Sequence, residues 1–230
     1  MRVTIHQPNY LPWLGFFEKV STADTYVILD SVQYEKGGFT NRNKVRTPDS
    51  PAGWQWLTVP VKKGSSNMLI RDVEIDNTQK WREISLRTVL RAYQKAPFLN
   101  DYRWLLEEAY KKEWGSLREL NVHMIEELFK AFSLSPRIVC SSELDIAGKK
   151  SDLNLDICKQ VGATTYVSGI SGKGYLDMAS FKEAGIDVEI QDYQHPIYKQ
   201  VSEPFIANMC ALDVLLNYGP ESMKVIACKK

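Results

Sequence analysis

The stretch Arg2-Val-Thr-Ile-His-Gln-Pro-Asn-Tyr-Leu-Pro-Trp-Leu-Gly-Phe-Phe-Glu-Lys-Val20 decides the fold class. It opens as a short buried strand, because an apolar run around Val3 to Ile5 stops abruptly at a polar loop framed by Pro8 and Pro12. Beyond the loop, Trp13, Leu14, Phe17 and Val20 recur at helical spacing, and Thr25 to Leu29 reads as a second buried strand. Such a β-α-β opening favours a parallel pair. In an open parallel sheet, ligands bind outside the carboxyl ends of the strands, which is where His6, Gln7 and Asn9 fall. Pro8 and Pro12 restrict their own φ angles and the residues before them, so the loop holds these polar groups in a narrow set of positions.

After Asp30 a polar loop runs to Asn43, and then Trp54 to Val61 and Met68 to Ile75 read as strands of a hairpin around Gly64, Ser65 and Ser66. From about residue 77 to 134 the pattern turns helical, with Trp81 to Leu90, Tyr102 to Tyr110 and Leu117 to Phe132 as three segments. Strand and helix then alternate over Ile138 to Cys140, Leu153 to Val161, Thr164 to Val167, Met178 to Ala184 and Val188 to Ile190. A last helix is expected over Phe205 to Leu216, before the stop signals Gly219 and Pro220. The expectation is a single α/β domain over residues 1–230, with a mainly parallel sheet flanked by helices. A small β excursion near 54–75 and a helical insertion near 77–134 interrupt it.

The chain has 230 residues, 44% hydrophobic and 25% charged, enough for a sizeable core. Its 29 lysines and arginines nearly balance 28 acidic residues, which argues against a dedicated nucleic-acid binder and makes any anion site local. The most basic region holds Lys36, Arg42, Lys44, Arg46, Lys62 and Lys63 against Asp49 alone. Cys140, Cys158, Cys210 and Cys228 form no pair or cluster of metal spacing, so a reduced, cytoplasmic protein without a motif-borne metal site is expected. No apolar run approaches the roughly 18 residues that span a bilayer, so no integral membrane segment is expected. Cofactor and oligomeric state have no signature here.

Three groups carry chemistry. His6 can act as acid, base or donor, with Gln7 and Asn9 beside it and Asp30 at the next strand end as a candidate partner. The second group runs from Asp30 to Asn43 and gathers Tyr34, Lys36, Asn41, Arg42 and Asn43; Arg42 can clamp a phosphate or carboxylate in two places and Lys36 supplies a point charge. The third, Ser168-Gly-Ile-Ser-Gly-Lys-Gly-Tyr-Leu-Asp177, follows an apolar strand and precedes a helix. Its Ser168, Gly169, Ser171, Gly172, Lys173 and Tyr175 suit an anion approached by backbone amides, though the spacing is not that of a Walker loop. Asp177 can serve as a base or cap the helix, and His195 reads equally as a rim residue or a structural cap. His123 lies within an amphipathic helix and reads as structural.

Taken together, His6-Gln-Pro-Asn-Tyr-Leu-Pro-Trp-Leu-Gly15, Asn41-Arg-Asn43, Leu57-Thr-Val-Pro60 and Ser168 to Leu176 resemble the WbqC-like family over nearly the whole chain. The resemblance implies a place in bacterial O-antigen or other surface-polysaccharide biosynthesis and brings no established catalytic residues with it. A fainter similarity to nucleotidylyltransferase-like folds stops at the first loop, which lacks their two-histidine pattern. The expected function is therefore a transferase acting on an anionic substrate such as a nucleotide sugar, with acyl or aminoacyl transfer to an amino sugar as a candidate reaction. Lys36, Arg42 and Lys173 would hold the diphosphate. The alternative is a non-catalytic accessory protein that binds a nucleotide sugar or glycan intermediate.

Overall fold

A computed structural model describes residues 1–227, so Cys228 lies outside the described residues. Its main sheet has five parallel strands in the order β5-β2-β1-β6-β7: β1 is Arg2–His6, β2 Thr25–Ile28, β5 Arg137–Cys140, β6 Thr165–Ser168 and β7 Asp187–Ile190. The chain builds outward from β1 to β2 and β5, then returns to lay β6 against the other side of β1. The strand order therefore reverses between β1 and β6, and at such a reversal the loops leave the sheet in opposite directions and open a crevice.

Alternation along the central strands explains the two layers. Val3, Ile5 and Val27 pack into one core with Ile157 and Cys158 of α5 (Ser151–Val161) and Phe181 of α6 (Met178–Glu183). Tyr26 and Ile28 face the other, larger core, with Phe16 and Phe17 of α1 (Leu14–Ser21). Phe16, Phe17, Tyr26 and Phe129 meet there with ring centroids 5.0–6.1 Å apart, mostly edge to face. The helical insertion supplies α2 (Trp81–Ala92), α3 (Leu99–Lys111) and α4 (Leu117–Ala131), the last capped by Ser116, which accepts from the Glu119 amide.

The β excursion is present, but with different partners from those expected. A two-stranded antiparallel ribbon pairs β3 (Arg42–Arg46) with β4 (Trp54–Thr58), whereas the stretch after residue 64 forms short 3-10 turns over Ser65–Asn67 and Ile70–Asp72. The polar sequence of β3 concealed the strand: on its open face Arg42 stacks over Trp56 at 4.2 Å and Lys44 over Trp54 at 4.3 Å, so cations take the place of apolar residues. The last long helix also starts later than expected, with α7 at Leu212–Tyr218, followed by α8 at Ser222–Ile226. Residues 206–211 spend their backbone groups elsewhere. The Gln200 side chain brackets both the amide and the carbonyl of Ile206, and the amides of Cys210 and Ala211 donate to Lys44 and Pro12 carbonyls.

Candidate functional site

The loop after β1 is held from outside by two asparagines. Asn43 donates to the Leu11 carbonyl at 2.7 Å, and Asn121 of α4 donates to the carbonyls of Pro8 and Thr40, both at 2.7 Å. Leu11 sits at φ 46°, a left-handed conformation that these contacts stabilise. No side chain fits at Gly15, because its Cβ would fall 2.4 Å from the Trp13 ring lying across the first turn of α1. The loop and the helix start are thus a rigid wall.

Behind that wall, at the β1/β6 reversal, is a cavity of about 570 Å³. His6 and Gln7, Lys19 of α1, Ser168, Ser171 and Tyr175 line it, with Tyr193 closing one side. A second cavity of about 440 Å³, lined by Asn9, Phe39, Asn43, Lys44 and Asn208, shares the His6 and Trp13 walls with the first. His6 therefore stands between two chambers.

The imidazole is fixed in one tautomer. Its Nδ1 lies 2.9 Å from the Gln7 carbonyl, an acceptor, so Nδ1 carries the hydrogen and Nε2 keeps a lone pair. Phe16 holds the ring edge to face at 5.3 Å. Burial, and then repulsion from Lys19, lower the pKa to about 3, so His6 is neutral at physiological pH.

Lys19 is the residue that reading the sequence missed. It is 3% exposed, and its ammonium makes one long contact, 3.4 Å to the Ile5 carbonyl. Burial lowers its pKa to about 8. The available signal was its place on α1, flanked by Phe16, Phe17 and Val20 where a solvated lysine does not belong. The Tyr193 hydroxyl is buried without a partner and lines the same cavity.

The expected residues divide among separate places. His6, Gln7, Ser168, Gly169, Ser171 and Tyr175 share the first cavity, and Asn9 and Asn43 the second. Gly172 packs beneath: a Cβ there would meet Ser168 Oγ at 2.2 Å. Lys173 is exposed and outside the lining of the His6 cavity. Tyr34, Lys36, Asn41 and Arg42 line another cavity of about 350 Å³, so the three segments do not form one site as expected. Arg42 donates from one terminal nitrogen to the Gly37 carbonyl and lies over the Trp56 face, with its Nε buried and unpartnered.

The expected His6–Asp30 pair is not formed. Asp30 follows β2, and its carboxylate turns toward β5, where Arg118 pairs with it at 2.6 Å and Ser141 Oγ, Ser142 N and Ser142 Oγ donate at 2.8–3.0 Å. All its acceptor positions serve to tie α4 and the β5 end to the sheet. His195 does not reach the His6 cavity either; its Nε2 accepts from the Asn208 amide at 3.1 Å and its Nδ1 faces the Pro196 carbonyl at 2.8 Å. Asp177 caps α6, accepting from Ala179 and Ser180. His123 stacks at a tilt on Trp114, with Nε2 buried and unpartnered.

The WbqC-like protein family model matches residues 7–225, a span that contains every element lining the two cavities except β1 itself. The chain belongs to the WbqC-like family. An uncharacterized protein of Mycobacterium tuberculosis, Rv1507c, is 34% identical over 224 residues, covering 96% of this chain and 95% of its own length. No solved structure matches. Membership of the WbqC-like family suggests a role in polysaccharide-related biosynthesis. Among the described residues no helix is long and apolar enough to cross a membrane, and no three His, Cys, Asp or Glu residues group to hold a metal ion.

Proposed function

We propose that this chain is a transferase that modifies an anionic sugar substrate, a nucleotide sugar, in surface-polysaccharide biosynthesis by acyl or aminoacyl transfer to a sugar amine. The observation that carries the reading is His6, neutral and anchored through Nδ1, on the wall common to two chambers. A transferase that joins donor and acceptor directly brings both to one proton-accepting group, and a neutral imidazole on a wall common to two cavities supports that reading. The amine nitrogen attacks the acyl carbon of an ester or thioester donor; the C–N bond forms as the bond to the leaving group breaks. The amine's proton passes to His6 Nε2 and on to the leaving group, returning His6 to its neutral form. An anion bound beside the imidazole favours its protonated form, so substrate binding makes His6 a better base than it is in the empty site.

Calorimetric titration tests this. Nucleotide diphosphate sugars should bind more tightly than the free nucleotides, and His6→Gln should lower turnover about 10²- to 10⁴-fold while leaving affinity nearly unchanged. Binding no better than that of free nucleotide counts against the substrate. A His6→Gln variant that changes affinity, with no turnover in either form, makes the chain an accessory binding protein instead.

A further inference from the structure

Resting on the reading of the β1/β6 cavity as the substrate site, we propose that Lys19 holds the substrate's phosphate there, with the Tyr193 hydroxyl as second donor. Three observations lead to this. Lys19 has three donors and, among the described residues, one long carbonyl contact, although 97% of it is out of water, as its 3% exposure records. A buried ammonium left this way costs stability, so its retention in a cavity wall calls for an anion that the protein itself does not supply. Tyr193 offers an O–H with no protein acceptor on the same cavity, its ring fixed edge to face against Trp13 at 5.4 Å.

The third observation concerns the surroundings. Trp13, Gly15 and Phe16, at the start of α1, line the same chamber, so the partial positive charge of that helix end adds to the ammonium. Of the carboxylates nearby, Glu18 accepts from the Gln191 side-chain amide, while Asp192 lines the chamber at its exposed rim and accepts from Gln194 Nε2 at 3.3 Å, so the buried cation lies on the Lys19 side. Lysines elsewhere fit the role less well. Lys44, in the second chamber, rests its ammonium on the Trp54 ring, and Lys173 is exposed outside the lining.

Uridine diphosphate and inorganic pyrophosphate are the probes, titrated calorimetrically against the wild-type chain, Lys19→Met, Lys173→Met and His6→Gln, with thermal melts of each. Lys19→Met should weaken both probes at least about tenfold, the loss of one charge-assisted contact, while its melting temperature rises. Lys173→Met should bind both within about twofold of wild type. A lysine kept for structure alone would lower the melting temperature when replaced, and that result, or unchanged probe affinity in Lys19→Met, overturns the inference. So does a wild-type chain that binds neither probe. Full binding with turnover lost only in His6→Gln would refute the role of Lys19 and leave the transferase reading standing, so the two fail separately.

Discussion

Lys19 and His6 are both disfavoured in their charged forms, and the resulting pH dependence separates them. For Lys19 the folded pKa of about 8 lies below the ordinary 10.5, so between these values the unfolded chain binds more protons and the wild-type fold gains stability as pH rises. Lys19→Met should therefore be more stable than wild type by on the order of 3 kcal/mol at pH 7, with the gap closing toward pH 10.5 in urea melts. A gap that does not change with pH would contradict this. For His6 the folded pKa of about 3 lies below 6.5, so wild-type stability falls as the pH drops from 6.5 toward 3. His6→Gln should lose less over that window, measured by acid titration of the fold. Asp30 is occupied by the fold, held by Arg118, Ser141 and Ser142. Asp30→Ala strands Arg118 and should cost about 3 kcal/mol, while the refolded variant keeps its affinity for uridine diphosphate. His6 was legible in the sequence because it ends an apolar strand beside two prolines. The engagement of Asp30 was not, because its partners Arg118 and Ser141 lie far along the chain.

At the element scale, periodicity located the strands and helices that carry strong apolar patterns, β1, α1, β2 and the three inserted helices among them. It failed where burial is achieved by other means. In β3, Arg42 and Lys44 cover tryptophan faces, so its first two residues read as the end of a polar loop and the rest as no element; the stretch Met68 to Ile75 is apolar enough for a strand but turns over Ile70–Asp72 instead. The asparagine clamps show the same blindness, since a buried Asn looks no different in sequence from a surface one. Asn121→Ala leaves the Pro8 and Thr40 carbonyls without their donor and should cost about 1–3 kcal/mol. It should also weaken uridine diphosphate binding by loosening the wall that carries His6. Equilibrium urea denaturation and calorimetry check both effects.

For the whole molecule, alternating strands and helices announced a parallel sheet but could not say where the chain doubles back. That reversal between β1 and β6 gathers the start of the chain and the turn after Thr165–Ser168 into one cavity, and it leaves the Lys36 and Arg42 loop over another. Grouping cations by their abundance in sequence therefore joined two places that the fold keeps apart, and overlooked the single lysine that α1 delivers to the crevice. Arg42→Ala should accordingly leave pyrophosphate affinity within about twofold of wild type. The most direct measurement is a crystal structure of the chain soaked with uridine diphosphate. The expected outcome is a diphosphate between the β1 and β6 ends, within hydrogen-bonding distance of Lys19 Nζ and beside His6. Diphosphate bound instead among Lys36, Arg42 and Lys63, with the β1/β6 crevice empty, would contradict it.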